Sequence, residues 1–188
     1  MNAPSHHERL VSACVLTPLG PMLAVASHAG LTLLEFDDRR ALPTERRETE
    51  RQFGSAIEPG TNEHLERTRS ELGEYFAGKR HEFTVPLDLR GTAFQRRVWH
   101  LLQSIEFGQT RSYVDLARRL GDENATRAVG GANGKNRVAI IVPCHRVIAA
   151  DRTLGGYGGG LERKQWLLEH EGAIAPAALL FETGSKRA

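Results

Sequence analysis

Three short apolar runs, at residues 10–16, 22–26 and 31–36, open the chain. Thr17-Pro18-Leu19-Gly20-Pro21 and Ser27-His28-Ala29-Gly30 separate them. Both separators are rich in turn formers, so the pattern predicts three antiparallel strands. Residues 39–58 are highly charged and lack a clean period, which reads as a loop with room for a short helix. Leu65, Leu72 and Phe76 then recur at helical spacing over residues 62–77, with Gly78 as a stop. Residues 83–86 form a short extended piece.

Arg90-Gly91 marks a candidate boundary between a first unit, residues 1–90, and a second, residues 91–188. Thr92-Ala93-Phe94-Gln95 reads as a capping box, and Phe94, Val98, Leu101, Leu102 and Ile105 line one face of the helix behind it. Ser112-Tyr113-Val114-Asp115 resembles a second cap, with Leu116, Ala117 and Leu120 following and Gly121 as a stop. A third short helix, over residues 125–133, ends at Gly134. Two short helices joined by a tight glycine-containing turn outline a helix-turn-helix. Residues 138–142 are an unbroken apolar run, expected to cross the core. The glycine-rich residues 155–160 lead to a last helix, residues 161–170, closed by Gly172; the chain from 173 on reads as peripheral.

Composition narrows the class. The chain has 188 residues, 40% hydrophobic and 26% charged, enough for its own core and without a run long enough to span a bilayer. Residues 1–10 are polar and lack the apolar core of a signal peptide, so a cytoplasmic protein with no membrane association is expected. Residues 1–90 carry 11 basic and 14 acidic side chains, whereas residues 91–188 carry 14 basic and 9 acidic ones. The basic second half points to a polyanion partner. The eight histidines show no metal-ligand spacing with cysteine or aspartate, so no structural zinc is expected.

Two cysteines, far apart, are expected to be free thiols. Cys14 lies between Ala13 and Val15 in a predicted strand and reads as a small core residue. Cys144 lies in Ile141-Val142-Pro143-Cys144-His145-Arg146-Val147-Ile148, at the end of the apolar run. Proline ends regular structure and should present the thiol at a turn. The adjacent His145 and Arg146 are expected to lower the thiol pKa and favour the nucleophilic thiolate.

Pro143-Cys144-His145-Arg146-Val147 resembles the signature of the O6-alkylguanine-DNA alkyltransferases (methylated-DNA–protein-cysteine methyltransferases), bacterial type. Residues 127–132, Asn136, residues 155–160 and residues 166–172 resemble further motifs of that family in the right order and spacing. The likeness is strong over residues 92–172 and weaker before, where Thr17-Pro18-Leu19-Gly20 and Glu74-Tyr75-Phe76-Ala77-Gly78 are similar to bacterial members. It implies an α+β fold: a ribonuclease-H-like N-terminal lobe with a three-stranded antiparallel sheet, and a mostly helical, winged-helix-like C-terminal lobe. It also implies a single-turnover reaction on double-stranded DNA, in which the O6-alkyl group of guanine moves irreversibly to Cys144 and no cofactor or metal is needed, because the substrate itself carries the leaving group.

Residue by residue, the resemblance links Cys144 through water to His145, which Glu171 orients. Asn136 matches the asparagine that braces the turn beside the active site. Tyr113 matches the tyrosine that hydrogen-bonds the guanine and helps it leave, and Lys164 matches a lysine near the active site. Arg127 matches the arginine that fills the gap left by a flipped nucleotide, approached from the minor groove, with small residues behind it. Val147, Tyr157, Gly158 and Asn133 are implied pocket residues, and Tyr113 and Asn133 also lie at the DNA side. Three positions depart from the common pattern. Arg137 stands where many members have proline, an exchange expected to loosen the Asn136 turn, and Asn133 stands where some have an apolar residue. Gly158 stands where some have serine, which removes a hydroxyl donor to the guanine O6. The alternative reading is a lesion-binding or thiol-sensing winged-helix protein without transfer chemistry. No obligate protein partner is implied, and the accepted alkyl size and action on O4-alkylthymine stay open.

Overall fold

The computed structural model describes residues 9–176. The three expected strands form, as β1 (Leu10–Thr17), β2 (Gly20–Ala26) and β3 (Leu31–Phe36). They pair antiparallel through the two predicted turns. The sheet gains a fourth, parallel strand, β4 (Ile57–Pro59), beside β1, giving the order β3-β2-β1-β4. β4 is too short for a period to reveal it.

Within the charged segment read as a loop lies a full helix, α1 (Leu42–Phe53). Its apolar contacts are few, Leu42 and Phe53 packing with Leu10, Val25, Leu33 and Ile57 on one sheet face. It closes at Gly54, whose φ of 65° a glycine adopts without strain. The opposite sheet face carries α2 (Glu63–Phe76), capped by the Asn62 side chain on the Leu65 amide. Strand parity corrects the reading of Cys14: Val11 and Val15 point into the core, so Ser12, Cys14 and Leu16 face outward and Cys14 is exposed.

Both predicted capping boxes are present. Thr92 and Gln95 open α3 (Ala93–Gln103), and Ser112 and Asp115 open α4 (Tyr113–Arg119). α5 (Thr126–Gly134) follows a short 3-10 turn and completes the helix-turn-helix with α4. Two-residue strands β5 (Arg111–Ser112) and β6 (Val147–Ile148) pair in parallel, and α6 (Leu161–His170) is closed by Gly172.

One hydrophobic core crosses the 90–91 boundary: Leu34 and Phe36 of the sheet, Val98 and Leu102 of α3, and Leu167 of α6 all join it. Residues 138–142 are buried there as the apolar run predicts, and the Leu34 amide donates to Arg137 O while the Ala139 amide donates to Leu34 O. The active-site segment is therefore stitched directly to β3. No described helix is long and apolar enough to cross a membrane.

Candidate active site

Residues 138–146 make a compact turn rather than an extended crossing. Val142 N donates to Val138 O, Cys144 N to Val142 O and Arg146 N to Pro143 O. Ile140 has a φ of 71°, a region that a β-branched residue enters only when its surroundings force it. Pro143 ends the run and residues 144–146 form a 3-10 turn, which presents Cys144 as expected.

Asn136 holds this turn together. Its Nδ2 donates to Val142 O at 2.8 Å and to Cys144 Sγ at 3.1 Å, while its Oδ1 accepts from Val138 N at 3.0 Å. Arg137, expected to loosen the turn, is itself tied down: it pairs with Glu48 and donates to Gln52 Oε1 at 3.3 Å, both on α1.

Cys144 borders a cavity of about 190 Å³. Tyr113, Asn133, Asn136, Tyr157 and Gly158 border it too, so five of the sequence-derived residues converge on the thiol. Val147 does not: it is fully buried in β6, and its carbonyl accepts from Lys164 Nζ at 2.6 Å. Lys164 is buried as well, and also donates to Leu154 O and Gly156 O. It thereby fastens the glycine-rich segment to the turn, and burial depresses its pKa to about 8.

The electrostatics differ from the sequence expectation. Burial pushes the Cys144 thiol up to about 11, with the Asn136 hydrogen bond, Arg39 and Lys164 acting against it. His145 and Arg146 are adjacent in sequence but turn to Glu171 instead. His145 Nε2 lies 2.8 Å from Glu171 Oε1, Arg146 Nε lies 2.8 Å from Oε2 and Arg146 Nη2 lies 3.0 Å from Oε1. Burial raises the Glu171 pKa, but the bonds from His145 and Arg146 outweigh it and hold the carboxyl at about 2. With Glu171 ionised, Nε2 is the donor of the pair, and the buried Nδ1 of His145 has no protein partner. Burial lowers the His145 pKa and Glu171 raises it.

Two residues of this site come from the first lobe and carry no signal in the local pattern. Tyr75 of α2 donates to Glu171 Oε1 at 2.8 Å, and its ring meets Phe83, Phe107 and His170. Arg39, just after β3, borders the cavity beside Gly158. Only the motif around Glu74-Tyr75 pointed to the former, and nothing pointed to the latter.

Arg127 does not border the cavity. It is exposed at the start of α5 and makes no hydrogen bond or ion pair among the described residues. Ala128, Gly131 and Gly134 are exposed on the same helix, and a Cβ at either glycine would meet nothing within 4 Å.

Comparison with known proteins identifies this arrangement. Residues 10–89 match the ribonuclease-like domain of 6-O-methylguanine DNA methyltransferase, and residues 93–173 match its DNA-binding domain. A methylated-DNA–protein-cysteine methyltransferase of Mycolicibacterium paratuberculosis is 47% identical over 169 residues, 88% of this chain and 95% of its own. The crystal structure of the Mycobacterium tuberculosis O6-methylguanine methyltransferase superposes with a TM-score of 0.74 at 42% identity, covering 92% of this chain and 99% of that one. The M. tuberculosis protein in complex with DNA gives 0.73 at 43% identity, over 91% of this chain and 97% of that one. The chain belongs to the methylated-DNA–protein-cysteine methyltransferase family.

Proposed function

We propose that this protein takes the alkyl group of O6-alkylguanine in double-stranded DNA onto Cys144, once per molecule. The observation that carries the reading is the juxtaposition at the thiol. Cys144 Sγ borders a base-sized cavity and accepts from Asn136, while the buried His145–Glu171 pair next to it in the chain keeps Nδ1 free. The cavity of about 190 Å³ is smaller than the roughly 300 Å³ at which pockets for drug-sized ligands begin. It suits one purine with a small substituent.

The resting thiol is protonated, so the reaction begins with its proton leaving for His145 Nδ1 through a bridging water. Glu171 stabilises the imidazolium that results, and Asn136 steadies the thiolate. The thiolate attacks the alkyl carbon in line. The S–C bond forms, the C–O6 bond breaks, and the electron pair passes to the guanine, which then takes up a proton. Tyr113 on the cavity wall assists that departure by hydrogen bonding to the base. Lys164 acts by holding residues 154–156 against the turn. A thioether has no good leaving group, so the protein is spent.

The target carbon is out of reach inside a stacked duplex, so the nucleotide must be extruded. The exposed Arg127 heads a helix face of small residues, which suits insertion at the vacated position with close backbone approach. Phosphate contacts would dominate affinity and make it salt-dependent. We take residues 91–188 as the DNA-binding and transfer unit, braced by residues 1–90, and the cytoplasm as the site of action.

The test is a mass spectrum after incubation with a duplex containing O6-methylguanine, with peptides mapped. One methyl on Cys144, in one-to-one yield with restored guanine, is the expected result. Duplex binding with Cys144 unmodified would instead make the chain a lesion binder or thiol sensor.

A further inference from the structure

The cavity has one wall that the second lobe does not supply. The Arg39 guanidinium reaches it from the end of β3. Nη1 lies 2.5 Å from Glu35 Oε1, Nη2 lies 2.9 Å from Glu45 Oε1, and Nη2 also lies 3.5 Å from Gly134 O. A guanidinium has five N–H groups, of which hydrogen bonds to Glu35 and Gly134 use two, while Glu45 adds an ion pair. The buried Nε and the second N–H of Nη1 have no partner among the described residues. Nη1 also faces Gly158. A Cβ at 158 would lie 2.5 Å from Nη1 and 2.6 Å from Cζ, closer than such atoms approach. The guanidinium thus occupies the space that a side chain at 158 would need. Position 158 is the one where glycine in place of serine removes a hydroxyl donor to the guanine O6.

We propose that Arg39 is a further catalytic residue of the transfer: through Nη1 it donates to O6 of the extruded guanine, in place of the hydroxyl that Gly158 lacks. The proposal rests on Cys144 being the alkyl acceptor. As the C–O6 bond breaks, the electron pair and its negative charge move onto O6 and N1 of the leaving guanine. A fixed cationic donor at that oxygen is strongest where charge develops and needs no reorganisation, because Glu35 and Glu45 already orient it.

Single-turnover transfer from an O6-methylguanine duplex, with the full chain, tests this. Arg39→Ala is expected to slow transfer about 100-fold, the loss typical of one such donor, with duplex affinity within about twofold. Gly158→Ser alone is expected to slow it as well, because its side chain collides with the guanidinium. Combined with Arg39→Ala, the serine has room and a hydroxyl to offer, and the double variant should regain about tenfold or more over Arg39→Ala. A second readout compares free O6-benzylguanine with an analogue whose purine is more acidic. The loss on removing Arg39 should shrink for the better leaving group, and Arg39→Gln serves if the alanine variant folds poorly. Transfer by Arg39→Ala within twofold of wild type, no recovery in the double variant, or equal losses for both purines each overturns the proposal. Failure of the wild type itself to methylate Cys144 would instead overturn the functional reading on which it rests.

Discussion

Replacing Glu171 by glutamine removes one charge from the most heavily used carboxylate of the site. Glu171 accepts from Tyr75, from His145 and twice from Arg146, at 2.8–3.0 Å. Glutamine keeps one acceptor oxygen and turns the other position into a donor, which faces the Arg146 guanidinium. That cation is buried and its remaining contact is Ile105 O. Removing one partner of a buried pair costs about 3–5 kcal/mol. The proton equilibrium gives a second route to the magnitude. Glu171 is held at about 2 against an ordinary 4.5, and a shift of that size is worth about 3 kcal/mol at about 1.4 kcal/mol per unit. Two independent routes therefore agree. For a chain of this length each kcal/mol moves Tm by about 2–4 °C, so Glu171→Gln should melt about 10 °C lower. The pH dependence follows from the sign of the shift. A carboxyl depressed in the folded state stabilises fully above 4.5, and that stability fades as pH falls toward 2. Thermal melts by circular dichroism should show a constant gap between wild type and variant from about pH 8 to 5, closing in more acid solution. A gap under about 1 kcal/mol at neutral pH would refute the claim that Glu171 anchors Arg146 and His145.

Three further outcomes are expected. Arg127→Ala should impair repair of duplex DNA far more than reaction with free O6-benzylguanine, by about tenfold or more in a ratio of rate constants; equal losses would remove Arg127 from base extrusion. Glu35, pushed up to about 8 chiefly by burial, contributes stability that is complete below 4.5 and lost as pH rises through 8. Glu35→Gln should therefore gain on wild type between those limits, by about 5 kcal/mol at most, and parallel melting curves would contradict a buried neutral carboxyl. Finally, a maleimide at pH 8 in the absence of DNA should label the exposed Cys14 before the buried Cys144, read by peptide mapping. Faster labelling of Cys144 would show a resting thiolate that the structure does not contain.

What the sequence makes legible is whatever a local rule governs. The capping boxes at Thr92 and Ser112 are fixed by hydrogen bonds spanning three residues, and both form as read. The antiparallel strands follow from turns between apolar runs, and Asn136 meets Cys144 because the short segment between them folds back as a turn. Cys14 was misplaced because residues in an apolar run were read together, when strand parity sends alternate ones to opposite faces. The thiol's electrostatics were misread for a related reason. Neighbours on a 3-10 turn point in different directions, so Cys144 faces the cavity while His145 and Arg146 face Glu171.

The hardest part to read is the first lobe's share of the site, and the reason is physical. Charge in residues 35–58 looks like a solvated surface because hydrophobic periodicity registers only apolar faces. Yet Glu35 and Glu45 are buried with the largely covered Arg39 between them, and Glu48 and Gln52 reach across to Arg137. α1 therefore holds two arginines, one on the cavity wall and one in the turn braced by Asn136. Buried ion pairs contribute little to stability against an apolar packing of the same shape, but removing one partner is costly, so they fix geometry more than they add energy. That is what this site needs from its distant lobe. Gly158 loses a side chain and Arg137 replaces a ring, and in both places an arginine held by the first lobe occupies the position. The two departures from the family pattern then stop being separate defects: at each stands an arginine paired with an acidic residue of the first lobe, a contact that no motif in the second lobe could disclose.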